Sequence, residues 1–162
     1  MANYCDNDIV VFAYEKDKVE EFRKFMEDYI QNNEDKTVRG FVLRCGFPKE
    51  EAYKITDHRD TLIDIDDKIY KKEDVYYFTF QTESAWTPNV EVFKSIIQAK
   101  FNGELEIEYR SEEPGVGNYI NTDEEGFFFS ERFFLDSCVN DEYHTEYYDS
   151  KEEVLEWVKE KF

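Results

Sequence analysis

Apolar residues along this chain recur at two different periods, and the first clear signal is short and β-branched. Ile9-Val10-Val11-Phe12 predicts a buried strand. Asp17 and Glu20 form a capping-box pattern, after which Val19, Phe22, Met26, Tyr29 and Ile30 lie on one helical face for about four turns. Asn32-Asn33 predicts the stop. Phe41-Val42-Leu43 reads as a second strand. Between Cys45 and Asp74 the pattern is weak: Pro48, a helical turn over Glu50–Lys54, and Leu62, Asp64 and Asp66 alternating with Ile63 and Ile65.

Val75 to Thr82, rich in Tyr, Phe and Val, predicts a strand. Thr87 as N-cap and Pro88 at the first helical position then open a helix, because a proline loses nothing where the N–H has no partner. Val90, Phe93, Ile96, Ile97 and Phe101 carry its apolar face, and Asn102-Gly103 supplies a left-handed stop. From Glu104 to Arg110 the alternation is strict, with Leu105, Ile107 and Tyr109 inward and the charged residues outward. Asn118–Asn121 and Phe127–Ser130 flank the polar turn 122–126 and read as a hairpin, while Phe133-Phe134-Leu135 continues it or begins another strand. Ser150 with Glu153 opens a last helix bearing Val154, Leu155, Trp157 and Val158.

This order predicts one α+β domain over residues 1–162: a ferredoxin-like βαββαβ sandwich, its antiparallel sheet covered by helices on one face. A C-terminal β-hairpin and helix extend it over residues 111–162. The expected core takes in Val10, Phe12, Phe22, Met26, Tyr77 or Phe78, Phe93, Ile97, Leu105, Ile107, Phe134 and Trp157.

Composition changes what such a domain does. Among 162 residues, 39 acids against 20 bases leave a net charge of −19, and a mean hydropathy of −0.77 by itself fits disorder. The 29 aromatics argue for a packed core instead, since disordered acidic chains are poor in them. Charge of this sign repels phosphate, which disfavours direct nucleic-acid binding. No apolar run approaches the roughly 20 residues that span a bilayer, and Met1–Asp6 shows neither part of a signal peptide. Cys5, Cys45 and Cys138, odd in number and without CxxC spacing, fit free thiols in a cytoplasmic protein.

Three segments resemble the YubB-like family, small proteins with a ferredoxin-like domain carried on bacterial phages and plasmids. They are Asn3-Tyr4-Cys5-x-Asn7, Ala85-Trp86-Thr87-Pro88, and Tyr109-x-x-Glu112-x-Pro114-Gly115-x-Gly117. The resemblance covers the first strand and residues 75–135, and implies fold and genetic setting without any catalytic residue. By composition alone Trp86 reads as an anchor at the edge of the core, and Gly115 and Gly117 as a tight connection.

Chemical motifs are sparse. His58 and His144 are far apart and match no zinc spacing. Asp57, Asp60, Asp64, Asp66 and Asp67 lack the DxDxDG turn and closing glutamate of a calcium loop, and read as a solvated loop. No GxSxG elbow occurs and no cysteine adjoins a histidine; the pairs Glu112-Glu113 and Glu124-Glu125 point apart. The chain therefore reads as non-catalytic, with no cofactor or metal.

Charge distribution is the stronger signal. Residues 1–103 carry 21 acids and 15 bases, whereas residues 104–162 carry 18 acids and only 5 bases. In one reading these acids solvate a face. In the other, Glu104, Glu106, Glu108, Glu124, Glu125, Asp141, Glu142, Tyr143, Glu146 and Tyr147 imitate a phosphate backbone and bind a basic, nucleic-acid-binding protein such as a host defence nuclease. A third reading, of another class, is a small-ligand or cation-binding domain with a pocket near Trp86, Glu112, Gly115 and Gly117.

Overall fold

A computed structural model of the chain describes residues 3–113, 118–130, 133–139 and 141–161. In order, it has β1 (Tyr4–Ala13), α1 (Lys16–Asn32), α2 (Val38–Arg44), α3 (Lys49–Ile55), β2 (Thr61–Ile65), β3 (Tyr70–Lys72) and β4 (Val75–Ala85). There follow α4 (Val90–Phe101), β5 (Glu106–Glu113), β6 (Asn118–Asn121), β7 (Phe133–Val139), β8 (Glu142–Tyr148) and α5 (Lys151–Lys161). The fold is α+β. Its main sheet is antiparallel, in the order β2-β4-β1-β5-β6, with β3 also on β4.

The period of two along β1 sorts its residues onto two unlike faces. Ile9 and Val11 pair with Phe80 and Phe78 on one side and with Tyr109 and Ile107 on the other. That face is covered by Phe22 of α1, Phe41 of α2 and Phe93 of α4, all fully buried. Phe22 meets Phe78 at 6.1 Å and Phe93 meets Phe80 edge-on at 4.8 Å, within the range where aromatic pairs add to simple burial.

The opposite face, with Val10, Phe12, Tyr77, Glu108 and Arg110, is partly roofed by residues 122–130 rather than by helices. Phe128 sits 4.8 Å from Phe12 and 5.1 Å from Tyr77, and the Arg110 guanidinium lies 5.2 Å from the Phe129 ring centre. Arg110 is fixed in turn by Asp8, at 2.8 Å.

One carboxylate holds this roof. Buried Asp123 accepts N–H groups from Phe127 at 3.1 Å, Phe128 at 2.6 Å and Phe129 at 2.9 Å. Burial pushes its carboxyl up, but the three N–H donors outweigh that and leave it below the usual carboxylate range. Because the folded group is the stronger acid, its contribution is complete above about pH 4 and fades as pH falls through the depressed value. Asp123→Asn should therefore lose about 1–3 kcal/mol at neutral pH and distinctly less near pH 2, read from urea melts at both.

Several expectations are corrected. Phe41-Val42-Leu43 is not a strand: Val38, Phe41 and Val42 are the buried positions, spaced as on a helix, and the Thr37 hydroxyl caps it by accepting the Gly40 N–H at 3.1 Å. The second strand of the sheet is β2. Glu15 rather than Asp17 precedes α1, and its side chain makes no capping bond to the described residues. Helix α4 starts at Val90 behind Asn89, leaving Thr87 and Pro88 in the connection. Phe127–Ser130 forms no hairpin with Asn118–Asn121, because β6 pairs with β5 and Asp123 gathers the Phe127–Phe129 amides. The C-terminal hairpin is β7–β8 instead.

Other expectations stand. Asn102 closes α4 in the left-handed region at φ 51°, and at the start of α5 the Ser150 hydroxyl accepts the Glu153 N–H at 3.2 Å while the Glu153 carboxylate accepts the Asp149 N–H at 3.1 Å. Of the expected core, Val10, Phe22, Met26, Phe78, Phe93, Ile97 and Leu105 are buried, while Phe12, Tyr77, Ile107 and Trp157 are half-buried. None of the described residues of α5 is fully buried. The Phe134 side chain lies outside the described residues. No helix among the described residues is long and apolar enough to cross a membrane.

Candidate functional site

Strand alternation that buries Ile9 and Val11 must also bury Asn7 and Cys5, so one end of the sheet is polar inside. Asn7 is 1% exposed and faces Thr82 across β4 and Ser111 across β5. Its amide donates to Ser84 Oγ at 2.9 Å and Thr82 Oγ1 at 3.2 Å, and its oxygen accepts from Ser111 Oγ at 2.6 Å. Ser84 Oγ donates onward to the Thr87 carbonyl at 2.7 Å, and Thr82 Oγ1 to Asn89 Oδ1 at 3.0 Å. Three strands are thus tied together by buried hydrogen bonds, and the part-buried Ser84–Thr87 bond links them to the β4–α4 connection.

Over this end lies a pocket of about 210 Å³, between Cys5, Trp86, Ser111, Glu112, Glu113 and Tyr119. All three resembling segments meet here, because β1 pairs Tyr4 with Ala85 and Asp6 with Glu112. Trp86 is not the core anchor its composition suggests. It is 50% exposed, with its backbone in the left-handed region at φ 68° and its N–H held by the Asn3 carbonyl at 2.8 Å. Glu113 is only 2% exposed. The Tyr119 hydroxyl is buried and finds no hydrogen-bond partner among the described residues. Gly115 and Gly117 lie outside the described residues.

Cys5, in the same wall, is a poor nucleophile. Burial, and then the Glu113, Asp6 and Asp60 carboxylates, push its thiol up to about 11, so it stays protonated at neutral pH.

The aspartates of the 57–67 stretch disperse rather than converge. Asp57 is held well below the usual range by hydrogen bonds from the Arg59 side chain and backbone. Asp60 is buried, which raises it, while N–H groups of Ala85 and Asp57 hold it down. Asp66 takes the Thr79 N–H at 2.7 Å, and Asp64 and Asp67 face solvent. Among the described residues no three His, Cys, Asp or Glu side chains are placed to hold a metal ion.

The acids proposed to meet a partner fall in separate places. Glu104 lies 3.3 Å from Lys18, Glu106 is exposed, and Glu108 accepts the Thr122 hydroxyl. Glu124 and Glu125 line a cleft of about 680 Å³ with Asp123, Tyr119 and Asn121. The Tyr119 and Tyr147 rings are 6.0 Å apart, which sets β8 beside this cleft. Asp141, Glu142 and Glu146 are exposed on the hairpin, and the Tyr143 side chain lies outside the described residues. Across the 122–130 roof a second cavity of about 260 Å³ is lined by Glu73, Asp74, Glu108 and Asp123 among others. Acidic clefts therefore flank the roof on both sides.

Sequence reasoning missed Thr82, Ser84 and Ser111, and named Asn7 only within a resembling segment and Glu113 only within an acidic pair. A signal was there for Asn7, Thr82 and Ser111, each polar and two positions from an apolar strand residue, Ile9, Phe80 and Tyr109. Comparison with protein-family models, with curated proteins and with solved structures yields no match to this chain.

Proposed function

We propose that the chain is a non-catalytic binding protein whose acidic C-terminal third receives a basic, nucleic-acid-binding protein, in the manner of a nucleic-acid mimic. The observation that carries this reading is the 680 Å³ cleft with Asp123, Glu124 and Glu125 in its wall, beside a hairpin that exposes Glu142 and Glu146. Carboxylates on either side of one roof make an extended negative surface, which favours and steers a basic partner. The protonated Cys5 thiol supports the non-catalytic part. The ferredoxin-like reading of the core belongs to the same proposal; the order β2-β4-β1-β5, with α1 and α4 on one face, supports it. So does the resemblance to YubB-like proteins, whose phage and plasmid setting fits a partner in the bacterial host.

The test is retention of proteins from a bacterial lysate on the immobilised chain at about 0.1 M salt, identification by mass spectrometry, then challenge with duplex DNA. A basic protein should be retained, and released both by the duplex and by about 1 M salt, where the Debye length has shrunk to about 3 Å. Glu124→Gln, Glu125→Gln, Glu142→Gln and Glu146→Gln together should cut retention about tenfold. Glu104→Gln, Glu106→Gln and Glu108→Gln should do less, since none of the three lines the 680 Å³ cleft. Retention indifferent to both DNA and the four substitutions would sink the reading.

A further inference from the structure

We propose that a pocket of about 320 Å³, between the end of α3, the 56–60 loop and the β4–α4 connection, binds a neutral polyhydroxy compound the size of a single sugar ring. It shares no lining residue with the acidic cleft. A buried amide carries the inference. Asn89 is 8% exposed, and its Oδ1 accepts the Thr82 hydroxyl at 3.0 Å. Its Nδ2, on a residue that lines the pocket, closes no hydrogen bond with any described residue. A buried donor left so is costly, and a ligand oxygen removes that cost. Buried Asp60 is its neighbour, near enough for the amide to help hold the carboxyl down. The Asp60 oxygens accept the Ala85 N–H at 3.3 Å and the Asp57 N–H at 3.4 Å. Both bonds are long, and a carboxylate has room for more than two donors. A hydroxyl set between these side chains accepts from Asn89 and donates to Asp60, which neither an anion nor an ammonium group can do alone.

Charge and shape exclude other guests. Asp57 also lines the pocket, but its carboxylate is taken by the Arg59 guanidinium at 2.9 and 2.8 Å. The charges that remain in the wall are one negative, Asp60, and one positive, Lys54, so a lone cation and a lone anion are both disfavoured. The described lining residues include no aromatic ring, which leaves a flat base without a stacking partner. Ile55, Ala85 and Pro88 offer short apolar contacts to the C–H groups of a sugar ring. Lys54, exposed at the rim, adds N–H donors for an outer hydroxyl. The volume is near the roughly 300 Å³ at which ligand sites begin, which suits one ring and not several.

Nitrogen–proton NMR spectra of the full chain read the site directly, because the Asn89 side-chain amide gives its own pair of signals, identified by their loss in Asn89→Asp. Titration with myo-inositol and with D-glucose should move that pair saturably. Cyclohexanol, a six-membered ring with one hydroxyl, should bind at least about tenfold more weakly. By calorimetry, Asn89→Asp should weaken the tighter of the two polyols about tenfold and Lys54→Met about fivefold. Asn89→Asp keeps the oxygen that accepts the Thr82 hydroxyl, and Lys54→Met alters only an exposed side chain, so the second variant keeps the fold even if the first does not. Glu124→Gln with Glu125→Gln should leave the affinity unchanged, separating this pocket from the cleft. Maltose distinguishes the sources: binding equal to that of glucose assigns one ring of a larger glycan, and loss of binding a free polyol. No saturable shift with either polyol would overturn the proposal and leave the Asn89–Asp60 gap to water. So would equal binding of cyclohexanol, tighter binding of inorganic phosphate or of glycine, or full affinity in either pocket variant.

Discussion

Phe41→Ala should destabilise the chain by about 3–5 kcal/mol, a large part of the 5–15 kcal/mol that holds most domains together. Phe41 is fully buried at the meeting point of Phe22, Phe25, Tyr29 and Phe93, with ring centres 5.3–6.4 Å away. No one neighbour can collapse into the space left, so the cavity adds to the lost burial. Its two successors make the measurement diagnostic. On a helix Val42 is buried and Leu43 is 39% exposed, so Val42→Ala should cost more than Leu43→Ala. A strand would reverse that order, placing Leu43 on the same face as Phe41. Denaturant melts of the three alanine variants decide between them.

Asn7→Ala should be the second severe change, at about 3 kcal/mol or more. The substitution leaves the Ser111, Ser84 and Thr82 hydroxyls buried with lost partners, and each such group costs about 1–3 kcal/mol. Members of one network do not act independently. Ser111→Ala should therefore cost less in the Asn7→Ala background than alone, with a coupling of about 0.5–3 kcal/mol in the double-mutant cycle. Additive losses would mean that the 2.6 Å Ser111–Asn7 bond contributes little.

What could be read from the residues, and what could not, divides along physical lines. Long periodic segments were legible: the faces of α1, α4 and β5 follow from spacing alone, because burial there is one-sided. Phe41-Val42-Leu43 was not, since three apolar residues fit either period, and only Val38 and the Thr37 cap favour the helix. Phe127–Phe129 imitates a strand, yet its amides answer to the Asp123 carboxylate. Thr87-Pro88 carries good capping chemistry two residues too early, because Trp86 takes a left-handed turn and Thr82 draws Asn89 inward. The three resembling segments could be named in advance; their meeting around one pocket is a property of register, which pattern does not reveal.

The place of β1 in the sheet has a consequence in time. It is made first but is flanked by β4 and β5, and its Asn7–Ser111 bond joins residues 104 positions apart. During synthesis the run Ile9–Phe12 must wait for about a hundred further residues before both its edges are covered. Such distant closure slows folding, because chain entropy is lost before the pairing contacts can offset it. A nascent chain halted before β5 would expose one edge of β1 to any strand nearby, and that is where premature association should begin.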